Sequence, residues 1–139
     1  MPEDLPERAE AGTLNVPGIA GLAAGLQYLK TRGIENIAKE EEKCVKYVAE
    51  PLKRFGFQVY SGAHQGGTLS FVPKIDCEEF AGKLASWDIG VRAGLHCAPL
   101  AHESAGTLET GTVRLSFGWD ASPSQTQQFL RKMEVICNR

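Results

Sequence analysis

The distribution of apolar residues predicts an α+β domain, a small mixed or antiparallel sheet with helices on one face, in the order α-α-β-β-α-β-β-α. Three observations predict it. Four segments repeat their apolar residues at helical spacing, and four short segments rich in β-branched or aromatic residues alternate. The first two alternating segments are separated only by the glycine-rich SGAHQGG, which reads as a hairpin turn.

The 139 residues fit one domain, and folding at this size buries roughly 68% of the surface of the unfolded chain. An apolar share of 42% and a charged share of 23% exclude global disorder. A net charge of −2 argues against non-specific binding to nucleic acid or an anionic membrane. The longest apolar stretch, Val16 to Leu29, is broken by Pro17, Gly18, Gly21 and Gly25 and is too short for a bilayer. Cys44, Cys77, Cys97 and Cys137 form no CxxC pair, and no secretory signal opens the chain. Reduced thiols in a cytoplasmic setting are therefore expected, without a disulfide framework.

The opening MPEDLPERAEAG is charged and carries Pro2 and Pro6, so residues 1–16 read as an arm that is irregular unless a partner holds it. A helix is expected from Pro17, a residue suited to a first turn, with Ile19, Leu22, Leu26 and Leu29 as its stripe and Gly33 as its stop. Gly18, Gly21 and Gly25 form a second stripe without side chains, which predicts close packing against another backbone, as in a tight helix–sheet contact. A second helix is expected from Ile34 to Phe55, with Ile34, Ile37, Ala38, Val45, Val48, Leu52 and Phe55 inward and Lys39 to Lys43 on its solvated face. Pro51 should loosen its last turn.

Strands are expected at Phe57–Tyr60 and Thr68–Val72. Asp76 caps a short helix, with Glu79 three residues on in a capping-box pattern and Phe80, Ala81 and Leu84 toward the core. Strands at Ile89–Ala93 and Thr112–Phe117 follow, and a last helix opens with Ser122 as cap and Pro123 at its first position. Phe129, Leu130, Met133 and Ile136 make its stripe.

Alternation along the last two strands carries the chemical argument. Val113, Leu115 and Phe117 share one face, while Thr112, Arg114 and Ser116 share the other. Arg92 likewise opposes Ile89, Val91 and Ala93. If both apolar faces meet the same helical layer, Arg92 and Arg114 project together from the helix-free side. Two guanidiniums with glycines beside them suit a planar carboxylate or phosphate, although two solvated surface arginines are the plainer reading. Between those strands lies GLHCAPLAHESAGTLETG, long enough to be functional or disordered.

That loop carries Cys97 beside His96, with His102 five residues on. A loop thiol near two arginines is suited to act as a nucleophile. Cys44 and Cys137 sit on apolar helix stripes and, with Cys77, read as inert. A zinc site from His96, Cys97 and His102 matches no common ligand spacing and lacks a fourth ligand, so no metal is assigned. His64, in the glycine-rich turn, is given no role.

The segments VRAGLHCAP…GTVRLSFG and LPERAEAGTLNVPGIAGLAAGLQYL resemble the class V aminotransferase family, within it the cysteine desulfurase and selenocysteine lyase group, and the resemblance runs from about Pro6 to the end. It implies a fold-type I pyridoxal-phosphate enzyme built as a homodimer, of which residues 17–139 form the C-terminal small domain. It implies that Cys97 attacks the sulfur or selenium of a cysteine or selenocysteine substrate and becomes a persulfide, to be passed to an acceptor protein. Arg114 matches the arginine that binds the substrate carboxylate, and Arg92, with His96, lies at the same pocket. Gly12 and Thr13 match residues that reach the cofactor phosphate of the opposite subunit, although Leu14 stands where the family has proline.

No lysine here follows a histidine, as the family's Schiff-base lysine does. The chain is thus expected to be a fragment without the N-terminal cofactor-binding domain, inactive alone and holding no cofactor covalently. Two further readings are an aminotransferase or epimerase of the same family, in which Cys97 is incidental, and a stand-alone sulfur-relay or binding module.

Overall fold

The computed structural model describes residues 2–10, 12–62 and 65–137, so His64 lies outside the described residues. It contains two compact units, Met1–Ile34 and Glu35–Arg139.

In the first unit a 3-10 turn at Glu7–Ala9 precedes α1 (Val16–Arg32). Asn15 caps α1 by accepting the Gly18 N–H at 3.0 Å, so the helix starts one residue before the expected Pro17. Gly33, with φ of 82°, ends it as expected. None of its residues is buried, and Val16 and Leu22 are each 64% exposed. The predicted close packing on the glycine stripe is not found among the described residues. A Cβ built at Gly21 or Gly25 would meet nothing within 4 Å, and one at Gly18 would meet only the capping side chain of Asn15. A small-residue stripe leaves room for a neighbour but does not bring one.

The second unit begins within α2 (Ile34–Arg54) and continues through β1 (Gln58–Tyr60), β2 (Thr68–Val72), α3 (Cys77–Ala85), β3 (Arg92–Gly94), α4 (Pro99–Ala105), β4 (Thr112–Ser116) and α5 (Pro123–Cys137). The four strands form an antiparallel sheet in the order β1-β2-β4-β3, with β1 and β2 as the expected hairpin. One cross-strand row, Val59–Phe71–Val113–Ala93, faces the helices. Against it α2 brings Val45, Val48, Ala49 and Leu52, α3 brings Phe80 and Leu84, and α5 brings Phe129 and Met133. Phe57, Phe71 and Phe80 meet edge to face with ring centroids 5.2–6.0 Å apart, the preferred geometry for aromatic quadrupoles.

Local signals act as written in the chain. Asp76 accepts the N–H groups of Glu78 and Glu79 at 3.0 Å, while Glu79 turns to Lys83 rather than closing the capping box. At α5 the box closes: the Ser122 hydroxyl accepts the Gln125 N–H, and Gln125 Oε1 accepts the Ser122 N–H at 2.8 Å.

Three further expectations need correction. Ile34 is 69% exposed and Ala38 is exposed, because the buried stripe of α2 begins only at Val45. The third strand starts at Arg92, not Ile89, because the Ile89 N–H bonds to Leu84 O and closes the end of α3, with Asp88 at φ of 58°. The long loop is neither bare nor disordered: residues 99–105 fold into α4, stopped by left-handed Gly106. No helix among the described residues is long and apolar enough to cross a membrane.

Candidate active site

The face of the sheet away from the core carries a second cross-strand row, Tyr60–Ser70–Arg114–Arg92. Its last two members are direct register partners on β4 and β3. Opposite residues of an antiparallel pair have Cβ atoms about 4.5–5.5 Å apart, and like charges placed there destabilise the sheet. The alternation of each strand put both arginines on one side, and the register puts them side by side. Arg92 is exposed; Arg114 is half-buried, and its Nε is sealed from solvent without a hydrogen-bond partner. A buried charged donor without an acceptor is costly, and two adjacent guanidiniums are chemically suited to hold an anion.

The loop after β3 brings Cys97 to Arg92. Arg92 Nη2 donates to Cys97 Sγ at 3.8 Å, and the thiol is exposed. The other cysteines lie elsewhere: Cys77 is buried, while burial above all raises the thiol pKa of Cys44 and of Cys137.

His96 and His102 are both part of the structure beneath Cys97. His96 Nε2 is 2.9 Å from Thr112 Oγ1, and its Nδ1 is buried without a partner. The His102 ring lies 5.6 Å from that of His96 and is itself buried, with Nδ1 2.8 Å from Thr107 Oγ1. Burial first, then the charges of Arg114, His102 and Arg92, lower the pKa of His96 and favour its neutral ring. The side expected to be helix-free is therefore partly covered. His96 reaches Thr112 there, and the Tyr60 hydroxyl donates to Ala105 O at 3.1 Å.

Sequence reasoning named Cys97, Arg92, Arg114 and His96, and the structure brings these four together. It missed what fixes them. Thr112, 3% exposed, shares a face with Arg114 by the same alternation and was readable as part of the site. The His102–Thr107 contact had no readable signal, because it depends on α4. Among the described residues no group of three or more His, Cys, Asp or Glu is placed to hold a metal ion. Gly12, with φ of 101°, and Thr13 are exposed ahead of α1 in the first unit.

Comparison with known proteins bears on the family and the fold. The profile of the family described as Aminotransferase class-V matches residues 2–129. A probable cysteine desulfurase of Pyrococcus abyssi is 38% identical over 136 residues, covering 94% of this chain and 33% of that protein. A cysteine desulfurase of Haloferax volcanii is 32% identical over 119 residues, 83% of this chain and 28% of the relative. The apo cysteine desulfurase from Thermococcus onnurineus NA1 superposes with a TM-score of 0.88 at 36% identity, over 96% of this chain and 34% of that structure. For the Escherichia coli cysteine desulfurase CsdA in its S-sulfonic acid form, the TM-score is 0.84 at 28% identity, over 94% and 32% of the two chains. The chain thus spans about a third of the length of these relatives. A profile match over most of its residues and a shared fold make this chain a member of the class V aminotransferase family.

Proposed function

We propose that the chain is the C-terminal small domain of a pyridoxal-phosphate-dependent cysteine desulfurase-like enzyme. In that reading residues 17–139 form the domain and residues 1–16 the segment leading into it. Cys97 is the sulfur-accepting nucleophile, Arg114 grips the substrate carboxylate and Arg92 assists at the same pocket. The observation that carries the reading is the register pairing of Arg92 with Arg114, with Cys97 Sγ 3.8 Å from the first. A free amino acid presents a carboxylate, and two adjacent guanidiniums bind one in bidentate fashion.

The overall exchange balances without an added oxidant. The Cys97 thiol and free cysteine become a Cys97 persulfide and alanine: one C–S bond breaks, one S–S bond forms, and the carbon skeleton keeps the electron pair and gains the proton. The persulfide is then available to an acceptor protein.

Pyridoxal 5′-phosphate, when bound, supplies the electron sink for such chemistry. The residues present do not fit its covalent attachment. Of the eight lysines, Lys43, Lys46, Lys53 and Lys83 pair with glutamates on helix surfaces, Lys74 and Lys132 lie over the rings of Phe57 and Trp87, and Lys30 and Lys39 are exposed on α1 and α2. What fits is a supporting part. The resemblance assigns Gly12 and Thr13 to the phosphate of an opposite subunit in a homodimer, and the backbone at Gly12 leaves room for it, with nothing within 4 Å of a Cβ built there.

The test is reconstitution. The chain alone, given cofactor and cysteine, should release no sulfide and keep no pyridoxal after borohydride reduction. Joined to a large domain bearing a His-Lys pair, it should release sulfide, and C97S should abolish that release. Transamination or racemisation untouched by C97S would instead support an aminotransferase or epimerase of this family.

A further inference from the structure

Cys97 stands in a turn that its sequence does not favour. The Ala98 N–H donates to Leu95 O at 2.9 Å, closing a four-residue turn. Its two central residues, His96 and Cys97, have φ of 53° and 60°. Positive φ at both centres is the arrangement of a type I′ turn, whose usual occupants are asparagine and glycine. A side chain with a Cβ is strained in each place. Such strain persists only where the surroundings impose it.

The surroundings do so through His96. Its Nε2 meets Thr112 Oγ1 at 2.9 Å, a contact between residues 16 apart in the chain. Thr112 is 3% exposed and lies in the register of β3 and β4, opposite Gly94, so it is a fixed point of the sheet. The ring of His102, locked to Thr107, lies beside the His96 ring. Cys97 is exposed, and its Sγ accepts a hydrogen bond from Arg92 Nη2. Both nitrogens of His96 are thus directed into the protein, one to Thr112 and one buried.

We propose that His96 is a positioning residue and not a substrate ligand: its contact with Thr112 clamps the Leu95–Ala98 turn in a strained form that holds the Cys97 sulfur over the Arg92 guanidinium. The catalytic consequence rests on Cys97 being the sulfur acceptor; the clamp does not.

A thermal double-mutant cycle on the 139-residue chain tests the clamp without any activity. Glycine relieves the strain, so C97G should raise Tm by about 2–5 °C while the clamp is intact. In a T112V background, where the turn is already released, C97G should raise Tm by less than half as much. Equal effects in the two backgrounds, or a fall in Tm with C97G in both, would overturn the clamp. Should T112V not fold, H96A serves as the released background with the same expected difference.

In the reconstituted two-domain enzyme, T112V should lower kcat for sulfide release about tenfold or more with KM for cysteine unchanged, as expected when an acceptor is misplaced and binding is not. A rise in KM at unchanged kcat would make His96 part of the substrate site and end the proposal. If the wild-type two-domain enzyme releases no sulfide at all, the functional reading fails, while the thermal cycle still decides the clamp.

Discussion

Arg92 and Arg114 face each other as register partners across β3 and β4, two cations where a sheet ordinarily places complementary side chains. The sheet bears this repulsion without an acidic neighbour in the row, whose other members are Ser70 and Tyr60. R92T should therefore stabilise the isolated chain by about 0.2–1 kcal/mol at low salt. The gain should shrink as salt screens the pair. Urea unfolding of both proteins at two salt concentrations checks it. A variant less stable than wild type at low salt would show that Arg92 contributes packing that outweighs the repulsion.

The thiols should separate by environment. Cys97 is exposed, Cys44 and Cys137 are half-buried with raised pKa values, and Cys77 is 6% exposed. Iodoacetamide labelling of the folded chain, followed by peptide mass spectrometry, should modify Cys97 at least about tenfold faster than any other cysteine. Comparable labelling of Cys77 would mean that the base of α3 opens far more often than its burial implies.

How far the sequence disclosed this site depends on range. Alternation is local, so it placed Arg92 and Arg114 on one face, and the register between their strands then made them neighbours. Caps are local too, and Asp76, Ser122 and Gly33 act where the chain predicts. Ile34 and Ala38 were misjudged because a helical stripe says which side is apolar and not how much of its length meets a partner. The start of β3 was misplaced because Ile89 has β-branched character but spends its N–H on the end of α3. The strained turn at His96 and Cys97 was invisible, since it lacks the asparagine and glycine that usually mark such a turn. It exists because Thr112, far along the chain, imposes it.

Phe80 joins α3 to the sheet through edge-to-face contacts with Phe57 and Phe71, at 6.0 and 5.6 Å between ring centroids, and is 1% exposed. F80A should cost about 3–5 kcal/mol, since nothing at the centre of three packed elements can close the cavity. α3 also packs against the base of the Cys97 loop: a Cβ at Gly111 would lie 2.9 Å from Cys77 Sγ and 3.2 Å from Gly94 Cα. Loosening α3 should therefore speed proteolysis within residues 95–110 more than elsewhere. Urea unfolding gives the first quantity and limited proteolysis the second.

His96 fixes the direction of the chain's pH response near neutrality. Its folded-state pKa lies below the ordinary 6.5, through burial first and then the charges of Arg114, His102 and Arg92. The unfolded chain thus takes up the proton at a higher pH than the folded chain, and between the two values it holds more protons. Stability rises with pH wherever the unfolded state is the more protonated. The contribution is therefore complete above 6.5 and is lost as pH falls through 6.5 toward the lower folded value. Urea midpoints between about pH 7.5 and 5 should fall in wild type and fall less steeply in H96N, which has no group to protonate there. Parallel slopes would mean that the proton is taken elsewhere.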